Sequence, residues 1–280
     1  MKIDAHQHFW IYSKDEYGWM SDDMAVLRKD FLPEELANRL QLSDFRGSVA
    51  VQARQTLSET RWLLELADTY PLIKGVVGWI DLQSKDLENQ LAQFVAHDKF
   101  VGVRHVVQDE PDERFILREK FLRGVEKLLD YNLTYDILIF PKQLPAAIEF
   151  VKNFPEHRFV IDHSAKPFIK DGILSPWDDQ MSQIAALPNV YCKISGIVTE
   201  ADWHKWQVTD FQPYIDVIIK SFGSQRIMFG SDWPVCTVAA SYKEVVDIVE
   251  TCLSKHNLSE QENSAVWGGN AVNFYGLNID

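Results

Sequence analysis

Cysteine is scarce. The chain has three, Cys192, Cys236 and Cys252, an odd number at wide spacings with no Cys-x-x-Cys pair. Structural disulfides and a thiolate zinc centre are not expected, and the three are read as buried free thiols. Long apolar runs are missing as well: none nears the roughly 20 residues that span a bilayer. Basic residues are in the minority, 28 Lys and Arg against 41 Asp and Glu, a formal net charge of −13. Such a surface repels phosphate backbones and anionic lipid, so neither nucleic acid nor membrane is an expected partner. A small anionic ligand stays admissible, because a local basic pocket overrides the global field. No signal-peptide pattern is present, as Met1-Lys2-Ile3-Asp4 runs straight into acidic and histidine residues; a cytoplasmic location is expected. No Pro/Gly/Ser-rich linker or low-complexity segment divides the sequence, which is read as one domain over residues 1–280. No G-x-G-x-x-G follows a strand candidate, which argues against dinucleotide binding.

What is present is an alternation. Short β-branched or aromatic runs recur near residues 2–8, 47–53, 75–82, 101–107, 134–140, 158–164, 189–195 and 226–232. Between them lie helical patterns over 57–70, 84–99, 118–131, 144–154, 176–188, 213–222 and 241–255, with a last helix from Ser259 through Trp267. Ser58 and Ser84 are expected N-caps. Ser241 with Glu244, and Ser259 with Glu262, stand in capping-box register. Eight βα units whose strands are apolar on both faces specify a parallel sheet covered by helices. The count of eight favours an α/β fold of the (β/α)8 TIM-barrel type. The first connection, 9–46, exceeds what one helix needs and is read as an active-site loop plus a short helix.

Reactive residues fall at strand ends. In Asp4-Ala-His-Gln-His-Phe-Trp10, period-2 alternation puts His6 and His8 on one face with Asp4 below them. The sixth strand ends in Asp162-His163-Ser164-Ala165-Lys166-Pro167, and the eighth in Gly230-Ser231-Asp232-Trp233-Pro234. Lys193 and Ser195 share a face of the seventh. Gln52 and Arg54 end the second, Trp79 and Asp81 the third, and Arg104 and His105 lie in the fourth, where at most one of the two points inward. In a barrel, catalytic groups gather at the carboxyl ends of strands. Polar groups ending six strands are hard to ascribe to folding alone, since one unpaired buried charge costs several kcal/mol.

Each residue also has a purely structural reading. A strand histidine is usually a hydrogen-bonded core residue, and Asp232 could cap a helix or shape the turn before Pro234. Coincidence at one barrel end favours function. Phe9, Trp10, Trp19 and Trp233 are candidates to wall a pocket or to pack loops. His97, His157, His204 and His256 are read as surface residues.

In order along the chain, His6, His8, His163 and Asp232 resemble the signature of the amidohydrolase superfamily. The wording of DAHQHFW, GVRHVVQDEP, FVIDHSAKP, KISGIVTEADW, FGSDWPVC and the final WGGNAVNFYGL is similar to its sugar-lactone and pyrone-lactone hydrolase branch (L-fuconolactonase- and L-rhamnonolactonase-like enzymes), over essentially the whole chain. The resemblance implies an amidohydrolase-like barrel that opens an aldonolactone to its free acid. Strand five has no histidine and strand four no candidate for a carboxylated lysine, so a binuclear metal centre is not supported. Members of the branch can work without metal; at most a single zinc on His6, His8, His163 and Asp232 is implied, and those four suit zinc chemically.

On this reading Asp232 is the general base on water, and His163, His6 and His8 stabilise the developing oxyanion. Lys193 and Arg104 (or His105) hold the lactone oxygens and product carboxylate, with Gln52, Arg54, Trp79 and Trp233 as further contacts. Two rivals stand beside it: a zinc-dependent decarboxylase of an unsaturated or aromatic acid, and a non-catalytic barrel that binds sugar acids.

Overall fold

A computed structural model of the chain describes residues 1–279. All eight expected strands form: β1 (Lys2–Gln7), β2 (Phe45–Val51), β3 (Ile73–Gly78), β4 (Phe100–His105), β5 (Thr134–Ile137), β6 (Phe159–Ile161), β7 (Val190–Ile194) and β8 (Ile227–Phe229). They pair in parallel in chain order. The barrel closes at its upper rim, where the amide of Asp232 donates to His6 O at 2.8 Å and that of His8 to Trp233 O at 2.7 Å. Around it run α1 (Pro33–Leu42), α2 (Leu57–Thr69), α3 (Leu87–Ala92), α4 (Glu119–Leu129), α5 (Leu144–Lys152), α6 (Trp177–Ala185), α7 (Val208–Phe222) and α8 (Tyr242–Leu253). Two short helices follow, α9 (Glu260–Ser264) and α10 (Asn270–Tyr275). Among the described residues no helix is long and apolar enough to cross a membrane.

Local sequence explains most boundaries. Both expected capping boxes form: Ser241 caps α8 through Glu244, and Ser259 caps α9 through Glu262. Helix α2 is capped by Thr56, whose hydroxyl accepts from Glu59 N, rather than by Ser58. Helix α3 starts at Leu87 after Asp86, not at Ser84, and ends at Ala92. Helix α7 begins ahead of Pro213, because Asp210 reaches back to accept from Gln207 N at 2.8 Å. The connection after β1 holds one short helical turn, Asp22–Leu27, and then α1.

The core has two parts. Between strands and helices, Phe121, Tyr135, Phe150 and Phe159 pack edge to face or tilted with ring centroids 5.2–6.4 Å apart. Each fully buried ring of this kind stabilises the fold by about 1.5–3 kcal/mol. Inside the barrel, Ile3, Ala5, Val49, Val51, Val77, Val160 and Met228 form an apolar floor, sealed from below by Phe274 and Tyr275 of α10 and by Leu277.

One irregularity resets the first strand. Asp4 pairs with Ser48 but Gln7 with Ala50, so three steps on β1 match two on β2. This bulge re-aims side chains. Ala5 joins the apolar floor and His6 still faces inward. Asp4 instead turns away, to Ser231 N (2.8 Å), Ser231 Oγ (2.6 Å) and Tyr242 Oη (3.2 Å). The expectation that Asp4 lies below the histidines on their face is thereby corrected. Burial pushes the Asp4 carboxyl up to about 6, against the pull of these donors.

His157 is a second correction. It is fully buried, stacked on Phe159 at 4.7 Å, not on the surface. His97, His204 and His256 are not buried, and the three cysteines are free and buried as expected.

Candidate active site

Four chain segments meet above the apolar floor. β1 brings His6 and His8. β6 ends at Ile161 and gives way to Asp162 and His163. β7 is followed by Ser195 and Gly196, and β8 by Gly230, Ser231 and Asp232. Two glycines permit the convergence. A Cβ on Gly230 would stand 2.6 Å from His6 Cβ, and one on Gly196 would stand 2.5 Å from His163 Nδ1. Gly196 also has φ +60°, a left-handed conformation that side chains disfavour.

His163 itself sits in strained backbone. It opens four consecutive left-handed residues, His163 (φ 52°), Ser164 (50°), Ala165 (57°) and Lys166 (53°). Each costs on the order of 1–2 kcal/mol. The turn is held from every side. Trp177 Nε1 donates to Ser164 O at 2.8 Å, Ser164 Oγ to Lys193 O at 3.1 Å, and His163 N to Ser195 Oγ at 3.3 Å. Asp232, at φ 56°, is left-handed too.

The reactive atoms converge. His6 Nε2 and His8 Nε2 are 3.2 Å apart. Asp232 Oδ1 lies 3.3 Å from His8 Nε2 and 3.9 Å from both His6 Nε2 and His163 Nε2. That oxygen is buried and has no hydrogen-bond partner among the described residues. His8 Nδ1 is 2.8 Å from Val51 O; a carbonyl only accepts, so His8 carries a proton on Nδ1. Ser195 Oγ accepts the amide proton of His163 at 3.3 Å and lies 2.9 Å from His163 Nδ1. Burial holds the pKa of His6 and of His163 well below the ordinary histidine value, so both are neutral.

A charged layer lies directly beneath. Lys193 Nζ contacts Asp136 Oδ2 (2.6 Å), Asp162 Oδ1 (2.9 Å) and His6 Nδ1 (3.2 Å). Arg104 Nη1 contacts Asp162 Oδ2 (3.1 Å) and His6 Nε2 (3.2 Å), while Nη2 binds the main-chain oxygen of Gln52 and its Oε1 at 3.2 Å. Burial works to raise the Asp162 pKa, but Lys193, His6 and Arg104 together hold it well below the usual carboxylate range. Burial carries Asp136 up to about 6 despite Lys193.

Lys193, Arg104 and Gln52 are buried in the barrel, where Lys193 meets Asp136 and Asp162, and Arg104 meets Asp162 and Gln52. Trp233 is fully buried against Phe9 and Phe31, and Phe9 and Trp10 are likewise buried, so of the four aromatics only Trp19 is exposed. The parity question in β4 is settled: Arg104 points inward, while His105 stacks on Phe115 at 5.0 Å. His105 Nδ1 receives Trp79 Nε1 at 3.4 Å and Nε2 meets Glu110 at 2.8 Å, which places this trio at the rim. Arg54, also at the rim, is held by Glu16 and lies 3.7 Å from Glu59 Oε1. Asp136, Trp177 and Tyr275 were not singled out by the sequence, and Asp162 was marked only as the residue that opens the end of the sixth strand. A lone aspartate inside the apolar run TYDILIF was the one available signal; Tyr275 had none.

His6, His8 and Asp232 present three ligand atoms within 4.8 Å of one another. Asp232 Oδ1 and His8 Nε2 suit a divalent cation such as zinc. His163 belongs to a different cluster, with His6 and Asp162.

The family model described as amidohydrolase matches residues 3–277. A curated L-fucono-1,5-lactonase of Burkholderia multivorans is 42% identical, the alignment covering 99% of this chain and 96% of that protein. One from Burkholderia ambifaria is 37% identical over 98% and 95%. A more distant L-rhamnono-gamma-lactonase of Scheffersomyces stipitis is 24% identical over 63% of this chain and 59% of its own. A crystal structure of an amidohydrolase from Burkholderia multivorans with bound zinc superposes with a TM-score of 0.96 at 41% identity, covering 99% and 100% of the two chains. A dihydroxybenzoic acid decarboxylase from Polaromonas (TM-score 0.69, 14% identity, 98% and 96% covered) shares the fold alone.

Proposed function

The chain belongs to the amidohydrolase family, and we propose that it hydrolyses a sugar lactone of the L-fucono-1,5-lactone kind, with Asp232 as general base. One observation carries this reading: near-full-length identity of 42% to a curated L-fucono-1,5-lactonase, in a chain whose His6, His8, His163 and Asp232 converge on one point.

Asp232 Oδ1 is a buried acceptor with no hydrogen-bond partner among the described residues. It takes a proton from water as the water oxygen attacks the lactone carbonyl. The carbonyl oxygen becomes an oxyanion, and the neutral His163 imidazole, whose Nδ1 lies 2.9 Å from Ser195 Oγ, donates to it from Nε2. Collapse of the tetrahedral intermediate breaks the bond to the ring oxygen, which takes the proton back from Asp232. The product is the open hydroxy acid. The charged layer beneath stays spectator to substrate and holds His6 in place. Trp79, His105 and Arg54 at the rim are the proposed sugar contacts, with the Trp79 ring as a stacking face.

Where a single zinc ion is bound, His6, His8 and Asp232 are its proposed ligands, and it supplies Lewis-acid polarisation of the carbonyl. The rest of the reading follows the same line: a small-molecule partner, and a cytoplasmic setting that suits three free, buried cysteines.

The test is a pH-indicator assay against a panel of aldonolactones, since each ring opened releases a proton. L-Fucono-1,5-lactone is expected among the best substrates. Failure to open any 1,5-aldonolactone would refute the proposal, and carbon dioxide release from an aromatic acid would replace it with the decarboxylase.

A further inference from the structure

The end of the sixth strand carries a lysine that the chemistry above does not use. Lys166 closes the left-handed turn that His163 opens, and its amide donates to His163 O at 2.8 Å. Its side chain lies across the ends of neighbouring strands. Nζ stands 5.7 Å from the ring centroid of Phe140, beyond β5, and 3.0 Å from Glu200 Oε1, beyond β7. Glu200 belongs to a helical turn, Ile197–Glu200, that follows Gly196, the glycine packed against both His163 and Asp232. Both members of the pair are therefore borne by segments that touch the reacting groups. They stand on the β5–β7 side of the barrel mouth, whereas Arg54, Trp79 and His105 stand on the β2–β4 side.

The pair is fixed, yet open to solvent. Lys170 N donates to Glu200 O at 2.9 Å, Thr199 Oγ1 to Gly196 O at 2.6 Å and Trp203 Nε1 to Thr199 O at 2.9 Å, which pins the turn that bears Glu200. The side chains of Lys166 and Glu200 are 17% and 20% exposed, against 0% for Lys193 and 4% for Arg104. Arg54 is open as well, but it is shared between Glu16 and Glu59. Lys166 has one carboxylate, so two of its three ammonium protons have no acceptor among the described residues. On Glu200, Lys166 Nζ and Thr199 Oγ1 (3.5 Å) both fall on Oε1, and no donor among the described residues meets Oε2.

An ion pair open to solvent adds little to stability. What this one offers is a donor and an acceptor side by side, each with its charge largely cancelled by the other. Two neighbouring hydroxyls of a sugar ring are matched by that arrangement, because one can accept while the next donates. The charge balance also suits the reaction. A lactone is neutral and its open acid is an anion, so a lone ammonium would favour the product, and Glu200 removes that preference. We propose that Lys166 and Glu200 form a specificity-determining subsite that reads two adjacent ring hydroxyls of the lactone, one accepting from Lys166 Nζ and its neighbour donating to Glu200 Oε2; the proposal rests on the lactonase reading.

The test uses the full-length protein with Lys166→Met and Glu200→Gln, and the best aldonolactone of the panel. Each variant is expected to raise KM by about tenfold, the worth of a hydrogen bond to a charged group. Turnover should stay within about threefold, since ring hydroxyls are held alike in ground and transition states. Lactones that lack one ring hydroxyl each give a reading that a merely structural ion pair would not move. For the two that lack a hydroxyl held by the pair, the variant that deletes its partner and the wild type should share one KM. Folded variants with the wild-type KM overturn the proposal, as does a KM ratio that is the same for every deoxy lactone. Calorimetry with L-fucose, which has the same ring hydroxyls and no ester to open, needs no turnover. Wild type is expected to bind it and each variant to bind it about tenfold more weakly; no binding by wild type, or equal binding by folded variants, overturns the subsite. Should neither variant fold, a crystal structure of wild type with L-fucose decides, and a ring that misses Lys166 and Glu200 overturns it. A panel on which no lactone opens refutes the lactonase reading, and the L-fucose measurements then decide the subsite separately.

Discussion

Asp232 Oδ1 stands 3.3 Å from His8 Nε2 and has no hydrogen-bond donor among the described residues. A buried carboxylate oxygen left bare costs free energy, commonly 1–3 kcal/mol or more for a charged group. Such an atom calls for an explanation, and the proposed general-base role supplies one.

Asp232→Asn replaces the acceptor by an amide that cannot take a proton. Turnover of the lactone is expected to fall by about 10²–10⁴-fold, the range of general base catalysis. The left-handed backbone at this position tolerates Asn well, so the melting temperature should move little. Initial rates and thermal unfolding check both halves; near-normal turnover would remove Asp232 from the role.

Zinc should bind at one ion per chain. His8→Asn and Asp232→Asn are expected to weaken it by at least a hundredfold, whereas His163→Asn should leave affinity within tenfold, because His163 lies outside the His6–His8–Asp232 cluster. Titration calorimetry on chelator-dialysed protein reads the affinities. Equal losses in all three variants would mean a different ligand set.

Trp177→Phe tests the left-handed turn. The substitution keeps most of the ring and deletes the donor to Ser164 O. A buried carbonyl left unpaired costs about 1–3 kcal/mol, which urea unfolding would show. Since His163 opens that turn, kcat should drop along with stability. Lost stability at full kcat would show that the turn does not aim the imidazole.

His157 gives a prediction in pH. Burial lowers its pKa from 6.5 to about 4. The unfolded chain therefore binds a proton here below pH 6.5 that the folded chain refuses, and stability drains away as pH falls through that window. His157→Gln removes the penalty. Relative to wild type, the variant should gain about 2 kcal/mol on going from pH 7.5 to pH 5, at 1.36 kcal/mol per unit. Urea unfolding at the two pH values measures it, and a pH-independent difference would contradict a neutral buried imidazole.

Much of this was readable in advance, for a physical reason in each case. Strand position follows from β-branched runs, so all eight strands fell where expected. The capping boxes of Ser241 and Ser259 are local and formed as read. His6, His8, His163 and Asp232 were legible because parallel strands bring their carboxyl ends to one rim. Asp4 was misplaced because alternation assumes a regular strand, and a bulge leaves no mark in six residues. Lys193, Arg104 and Gln52 were placed at the rim because a charge in a strand signals use, while its partners Asp136 and Asp162 arrive from other strands. Trp233 follows Asp232 by one residue, yet the turn sends it into the core.

The seam between β1 and β8 has a consequence for how the protein comes into being. Ser231 and Asp4, which lock the seam, are 227 positions apart. Closing so long a loop is slow and comes late, after the local helix–strand units have formed. On the ribosome the histidines of the first strand emerge long before the aspartate they face. The growing chain therefore passes through seven strands with no completed site, and activity is expected to switch on in one step when the last strand docks rather than to accumulate during synthesis.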